Sequence, residues 1–312
     1  MYKPNTLLLI AIAGLAAQLV DGGLGMGFGA TSTTILVMLA GLGPAAASAV
    51  VHTAELGTTL ASGVAHWRFG NVDWKVVARI GVPGAVGAFV GATVLARLST
   101  EAAQPVMSLI LALIGLNLMI RFSRGLTQRK LAAKPHSKQF LGGLGLFGGF
   151  IDATGGGGWG PVTTSTLLAA GRSEPRRIVG TVNTAEFLVT AAATAGFAIG
   201  MWHDLVANLA AVAALLVGGV IAAPIGAWLV SRLNPVLLGG VVGTLIVFLN
   251  LPKVLAAVGV PGEGLWAARV AVLVAGVLLS WRGVQRARTS QASTPGPVSE
   301  DPQRRSTKVH AA

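Results

Sequence analysis

The sequence predicts an all-α polytopic membrane protein made of two inverted repeats. Each repeat is a re-entrant hairpin with a glycine-rich tip, followed by three transmembrane helices, and one extra helix follows at the C-terminus. Three observations lead to this fold class: long apolar stretches recur along the chain, part of the first half is repeated in the second half, and the basic loops exchange places between the halves.

Apolar stretches recur along nearly the whole length of the chain. Of its 312 residues, 53% are hydrophobic and only 11% are charged, whereas a soluble domain carries about twice that charged fraction. A membrane-spanning helix needs roughly 20 apolar residues. The stretches that reach or approach this length are 6–20, 45–65, 76–96, 105–120, 178–201, 205–230, 236–251 and 265–281. A β-barrel would alternate apolar and polar residues over about ten positions, and the sequence has no such pattern.

An internal repeat links the two halves. A shift of 131 residues aligns 21–73 with 152–204 without a gap. The acidic pairs in register are Asp21 with Asp152, Glu55 with Glu186, and Asp73 with Asp204. The chain has only 11 acidic residues, so three aligned pairs indicate duplication more strongly than the matching glycines do.

Loop charge indicates that the two halves have opposite orientations. The loop 172–177 has three basic residues and its counterpart 41–46 has none, whereas 66–79 has three and its counterpart 197–210 has none. Lys and Arg accumulate in cytoplasmic loops, so the positive charge places these equivalent loops on opposite sides. Inverted repeats of this kind are typical of secondary transporters.

The expected organisation follows from this topology. The segments are a first inverted repeat at 1–120, a cytoplasmic basic linker at 121–138, a second inverted repeat at 139–251, an extra transmembrane helix at 264–282 and a disordered cytoplasmic tail at 285–312. The linker and the loop 172–177 are both basic, so the segment between them enters and leaves on one side. About 33 residues are too few for two comfortable crossings, which predicts a re-entrant hairpin. We expect a multi-pass protein of the cell membrane, plasma or inner, with a cytoplasmic C-terminus.

The glycine tips are the predicted substrate site. They lie in "DGGLGMGFGATSTT" (21–34) and "DATGGGGWGPVTTS" (152–165). Irregular backbone at membrane depth is tolerated where it is buried in protein or lines a cavity, and the helix after each tip begins with free N–H groups that favour an anion. Close helix packing is the alternative role for such glycines. The predicted substrate-binding residues are Gly25, Gly27, Gly29, Thr31, Ser32, Thr33, Gly156, Gly157, Gly158, Trp159, Gly160, Thr163 and Thr164.

Acidic residues inside apolar segments are candidates for proton coupling. Such residues are costly in a membrane and commonly mark proton or ion pathways. Glu55 and Glu186, in the helix after each hairpin, are the preferred carriers. Asp21 and Asp152 are equally well placed to anchor the tips by accepting hydrogen bonds from glycine N–H groups. His52 precedes Glu55 by three residues, so the two side chains can touch; an interhelical hydrogen bond is the favoured alternative for His52.

The two glycine tips "GLGMGFG" and "GGGGWGP", the hydroxyl runs after them, Pro44 and Pro175, and the later "HTAEL" and "NTAEF" together resemble the TauE/SafE family, the sulfite exporters and related anion permeases of bacterial membranes. The resemblance covers about residues 7–282. It implies transport of small sulfur oxyanions or organosulfonates such as sulfite.

We therefore expect a permease for a small anion, with a sulfur oxyanion as its substrate, that works by alternating access coupled to protons or to the membrane potential. An anion channel and a transporter of a non-sulfur small molecule remain the alternatives. No enzyme is expected, because "HTAE" is not accompanied by a nucleophile or zinc motif. The expected partners are the substrate anion, the lipid bilayer and protons. We expect no nucleic acid, cofactor or metal, and the chain has no cysteine.

Overall fold

The structure, a computed structural model, describes residues 3–24, 26–125, 135–170, 172–230 and 234–292. Within these ranges the chain is helical and contains no β-strand. The helices are α1 (Pro4–Leu24), α2 (Phe28–Met38), α3 (Pro44–Arg68), α4 (Trp74–Arg97), α5 (Thr100–Ser123), α6 (Lys138–Gly155), a π-helical turn (Gly160–Thr164), α7 (Ser165–Ala170), α8 (Pro175–Ala207), α9 (Leu209–Val230), α10 (Pro235–Ala257) and α11 (Gly262–Ala292).

The helices identify a multi-pass membrane protein. Among the described residues, six helices are long and apolar enough to cross a bilayer: α1, α4, α5, α8, α10 and α11. Their outer faces carry large apolar side chains that are exposed, such as Val86 and Phe89 in α4 and Val277 and Leu278 in α11. Water would penalise such a surface, whereas lipid does not. The predicted all-α membrane class is therefore confirmed.

The two halves have the same order of elements. Each begins with a long helix, a break and a short helix, and continues with three further helices, so α1–α5 correspond to α6–α10, and α11 follows. At a rise of 1.5 Å per residue, the 21 residues of α1 measure about 32 Å, whereas the 11 residues of α2 measure about 16 Å. The re-entrant path of each pair, and the inversion of the halves, stay predictions.

The halves pack against each other reciprocally. The first helix of each half lies on the fourth helix of the other, α1 on α9 and α6 on α4, while α3 packs on α8 and α5 on α10. The closest contacts repeat as well. A Cβ on Gly14 would overlap the carbonyl oxygen of Leu215, and one on Gly145 would overlap that of Ile80. These glycines differ by the repeat shift of 131.

The C-terminal helix is longer than the apolar pattern predicts. It continues to Ala292, so the first eight residues of the expected tail, 285–292, are helical. This stretch contains arginine, glutamine and alanine, which favour helix. A contact with the end of α5 also stabilises this extension of the C-terminal helix, since Arg286 Nη1 lies 3.4 Å from the carbonyl oxygen of Ser123. The rest of the tail, 293–312, and the linker residues 126–134 lie outside the described residues.

Candidate functional site

The two glycine tips cross in direct contact. A Cβ on Gly29 would lie 2.6 Å from the Cα of Gly157, and one on Gly157 would overlap the backbone of Gly29. Gly157 has a φ of +137°, in a region that other residues rarely adopt. Thr33 Oγ1 donates a hydrogen bond to the carbonyl oxygen of Gly156, which joins the first hydroxyl run to the second tip. Gly25 lies outside the described residues.

Asp152 holds the second tip in place. Its Oδ1 accepts hydrogen bonds from the backbone N–H groups of Gly158, at 2.6 Å, and Trp159, at 2.8 Å. Its Oδ2 lies 3.1 Å from His52 Nε2. Two N–H groups predicted to be available to a substrate are therefore occupied by a carboxyl group of the same tip. This is the geometry of an anchor, and a proton-coupling role for Asp152 stays a prediction.

Asp21 makes the equivalent contact at the first tip. Its carboxyl group bonds the backbone N–H of Phe28, which corresponds to Trp159 at the repeat shift. Phe28 is the first residue of α2 and follows Gly27, whose φ of +106° turns the chain into the helix. Both acids thus accept from the start of the next helical segment, where free N–H groups and the helix dipole favour negative charge.

His52 connects α3 to the second tip. Its Nδ1 lies 2.8 Å from the carbonyl oxygen of Ser48, and its ring packs against Phe197 at a centroid distance of 6.1 Å. A carbonyl oxygen only accepts, so Nδ1 carries a hydrogen. The bond between Nε2 and Asp152 then requires a further proton on one of the two groups. His52 is therefore bonded to Ser48 and Asp152, the interhelical arrangement, and its predicted contact with Glu55 is not among its hydrogen bonds.

A small polar cavity of ≈ 70 Å³ lies beside the first tip. It is lined by Gln18, Asp21, Phe28, Glu55, Thr58, Thr59, Ser62, Asn183 and Glu186. Glu55 is 4% exposed and its Oε2 has no hydrogen-bond partner among the described residues. The structure therefore brings three of the predicted acids, Asp21, Glu55 and Glu186, to one cavity with space for a small ion or water.

The hydroxyl runs are buried close to the tips. Thr31 Oγ1 and Ser32 Oγ are buried without a hydrogen-bond partner in the described part of the chain, and so is Thr164 Oγ1. Thr163 donates to the carbonyl oxygen of Trp159, within its own helical segment. Buried polar atoms are normally paired, so the three unpartnered hydroxyl groups are available to a ligand or to water.

The two aromatic residues that follow the tips have different surroundings. Trp159, predicted to bind substrate, is fully buried and its Nε1 donates to the carbonyl oxygen of Val182 at 3.1 Å. Its ring lies against Gly84, and the cavity wall does not include it. Phe28 packs against Gly219 in α9, the helix that corresponds to α4, and does line the cavity. Trp159 therefore packs between the halves, and its role in substrate binding stays a prediction.

Sequence reasoning missed part of the cavity wall. The polar residues that it did not single out are Gln18, Thr58, Thr59, Ser62 and Asn183. Their helical spacing from the two glutamates could have indicated these residues. Three of them follow Glu55 by three, four and seven positions, and Asn183 precedes Glu186 by three, so they share a helix face with the two glutamates.

Comparison with known proteins agrees with this architecture. A family model described as Sulfite exporter TauE/SafE matches residues 10–252. The probable membrane transporter protein YtnM of Bacillus subtilis (strain 168) is 48% identical over 249 residues, which is 78% of this chain and 81% of that protein. No solved structure matches the chain. The chain therefore belongs to the TauE/SafE family of membrane transporters, and its partners include a lipid bilayer and a small-molecule substrate.

Proposed function

We propose that this transporter moves a small anion, a sulfur oxyanion or organosulfonate such as sulfite, by alternating access coupled to protons. The observation that carries the proposal is the cavity beside the first glycine tip, where three acids, several amide and hydroxyl groups and the start of α2 come together. The name of the matching family, which refers to sulfite export, supports the choice of substrate class.

The cavity offers hydrogen-bond donors to an oxyanion. Gln18 and Asn183 contribute side-chain amides, and Ser62 contributes a hydroxyl group. Asn183 Nδ2 lies 3.4 Å from Ser62 Oγ, so one of its two hydrogens points to the wall and the other stays available. The positive end of α2 begins at Phe28, on the same wall.

Proton coupling follows from the acids in this wall. Two unit negative charges 4 Å apart repel by about 4 kcal/mol at an effective dielectric constant of about 20. An anion therefore binds well only when Glu55 and Glu186 are protonated. A protonated carboxyl group is also a hydrogen-bond donor, and the unpartnered Oε2 of Glu55 is free to carry that hydrogen towards the cavity. On this mechanism the anion and protons move together.

The reciprocal packing of the halves supports alternating access. The cavity lies beside Asp21, whereas Asp152 is bonded to the buried residues His52 and Trp159, and Phe197 packs against His52. Two similar halves can exchange these arrangements, and the exchange would open the second region while closing the first.

Contacts between loops support a cytoplasmic C-terminus. The α3–α4 loop and the start of α8, both predicted to be cytoplasmic, touch through Asp73 and Arg177, whose Oδ2 and Nη2 are 3.5 Å apart. Asp73 N–H also donates to Thr181 Oγ1 at 2.9 Å. The end of α11 contacts the end of α5, where the basic linker begins, through Arg286. Basic loops prefer the cytoplasm, so all these ends are assigned to that side of the cell membrane.

Transport by the purified protein in liposomes tests the proposal. Radiolabelled sulfite is supplied at neutral or alkaline pH, with and without an imposed pH gradient, and with the membrane potential clamped. We expect saturable uptake that the proton gradient increases and that unlabelled thiosulfate or an organosulfonate inhibits. Empty liposomes are the control. Non-saturable flux would favour the channel, and uptake of only non-sulfur compounds would refute the substrate class.

A further inference from the structure

Arg121 places a cation at the junction of the two tips. It lies in the last turn of α5, and its guanidinium group is partly buried. Nη1 donates to Ser165 Oγ and lies 3.5 Å from Met26 Sδ, and the group also lies 5.5 Å from the centre of the Phe122 ring. In the part of the chain that the structure describes, no carboxyl group forms a salt bridge with Arg121.

The neighbours of Arg121 belong to the two tips. Met26 lies in the break of the first tip, and Ser165 follows the π-helical turn of the second. These segments touch, since a Cβ on Gly160 would lie 2.8 Å from the Cβ of Met26. Thr164, next to Ser165, is fully buried and its Oγ1 has no hydrogen-bond partner among the described residues. Arg121 thus points towards the inside of the protein, where it contacts both tips.

The other half makes the same connection without a charge. Asn250 of α10 donates through Nδ2 to Thr34 Oγ1 at 3.2 Å, and Thr34 corresponds to Ser165 at the repeat shift of 131. In each half, therefore, a side chain from the last helix of the repeat holds the hydroxyl group that follows the tip. A neutral amide is sufficient for that connection, so the positive charge of Arg121 needs a separate explanation.

The described neighbours of Arg121 do not balance its charge. A guanidinium group has five N–H donors in a planar fork, and a hydroxyl oxygen and a thioether sulfur neutralise none of its charge. A partly buried charge without a counter-charge is unfavourable. An oxyanion supplies two acceptor atoms to the fork and removes the penalty. Ser165 already accepts a hydrogen bond from Arg121, and the adjacent Thr164 has a buried hydroxyl group that is free to donate to a ligand.

We infer that Arg121, with Ser165 and Thr164, forms a binding subsite for a small oxyanion of the sulfite, thiosulfate or sulfonate class, on the side of the tips that faces the end of α5. The inference rests on the proposed function for its substrate class and extends it to a second position outside the cavity around Glu55. This subsite is a positively charged binding position on the transport path. Its equivalent in the second half, at Asn250, carries no charge.

Anion-dependent thermal stabilisation of the purified protein in detergent tests the subsite directly. Melting curves are recorded with sodium sulfite, thiosulfate or methanesulfonate, against sodium chloride at equal ionic strength. We expect the sulfur oxyanions to raise the apparent melting temperature of the wild type in a saturable way. In Arg121→Gln the apparent affinity falls at least tenfold, and Arg121→Lys, which keeps the charge but loses the fork, lies in between. Arg124→Gln, which removes an exposed arginine three positions further along, behaves as the wild type.

The outcomes separate the subsite from the proposed transport. Oxyanion binding that depends on Arg121, in a protein that moves no sulfur anion into liposomes, supports the subsite and refutes the proposed function. Sulfite transport with the same KM in Arg121→Gln and the wild type refutes the subsite and keeps the function. Stabilisation by phosphatidylglycerol alone, lost in Arg121→Gln, assigns Arg121 to a lipid phosphate and overturns the inference. If Arg121→Gln does not fold, equal oxyanion affinity in Arg121→Lys and the wild type also overturns it.

Discussion

The backbone of Gly157 crosses that of Gly29 with no room for a Cβ atom on either residue. The contact joins the tips of the two halves, and it lies next to Glu55, whose Oε1 would be 3.0 Å from a Cβ on Gly29. Any rearrangement of one tip must therefore be accommodated by the other tip and by the acid beside them. Interiors are closely packed and transmit such displacements.

Replacement of Gly157 by alanine should destabilise the protein strongly. Alanine at a φ of +137° is strained, at a cost of order 1–3 kcal/mol, and the overlap with the backbone of Gly29 adds overpacking of about 1–3 kcal/mol. The apparent melting temperature in detergent, with size-exclusion chromatography, measures the loss. Gly143→Ala is the matched control, because a Cβ on Gly143 in α6 meets open space. Equal melting temperatures for the two variants would contradict the crossing.

Asp152 should be needed for stability through its acceptor oxygen. Asp152→Ala leaves the N–H groups of Gly158 and Trp159 without an acceptor, and each buried unpaired group costs about 1–3 kcal/mol. Asp152→Asn keeps one oxygen for both N–H groups, so its melting temperature should stay much closer to that of the wild type. Thermal unfolding of the three proteins checks this order. A melting temperature for Asp152→Ala equal to that of the wild type would remove the anchoring role.

The tips and their acids are predictable from sequence because their pattern is local and occurs twice. The anchoring alternative for Asp152 is visible in the same way, since a carboxyl group six residues before an N–H cluster can fold back onto it. The sequence does not predict whether Trp159 or Phe28 is the aromatic residue at the cavity. Both follow a tip and both pack on a glycine of the opposite half, and only the tertiary arrangement decides which ring lines the open space.

Arg121 was also beyond the reach of sequence reasoning. The sequence pattern places it at the first position of the basic linker, directly after an apolar stretch, where an arginine usually extends to the headgroups. Its inward direction depends on Ser165 and Met26, which are 44 and 95 residues away.

The length of α11 has a similar explanation. Its last residues are polar, so the apolar pattern ends before the helix does, and the contact with α5 through Arg286 is long-range.

The two cavity glutamates should govern the response to a proton gradient. Glutamine has the shape of a protonated glutamate but cannot release a proton. In Glu55→Gln and Glu186→Gln we therefore expect sulfite exchange to continue, while accumulation driven by an imposed pH gradient falls at least tenfold. Glu101→Gln is the matched control, because Glu101 is exposed at the start of α5. Uptake in liposomes with and without the gradient gives the measurement. An unchanged gradient response in both cavity variants would refute their role as proton carriers.

Asp73 should matter to stability more as a helix cap than as an ion-pair partner. Its Oδ1 accepts from the N–H groups of Lys75 and Val76 at 3.1 and 3.2 Å, which caps α4, and loss of such a cap costs about 1 kcal/mol. Its other oxygen is 3.5 Å from Arg177, and those side chains are 34% and 52% exposed. Exposed pairs contribute about 0–1 kcal/mol because water and salt screen them.

The two contributions can be separated with three variants. Asp73→Ala should lower the melting temperature, Asp73→Asn should keep most of the stability because its amide oxygen can still accept from the start of α4, and Arg177→Gln should be nearly neutral, within about 0.5 kcal/mol. Melting curves at low and high salt measure all three. If Arg177→Gln were as destabilising as Asp73→Ala, and salt removed the difference from the wild type, the ion pair and not the cap would hold the α3–α4 loop against α8.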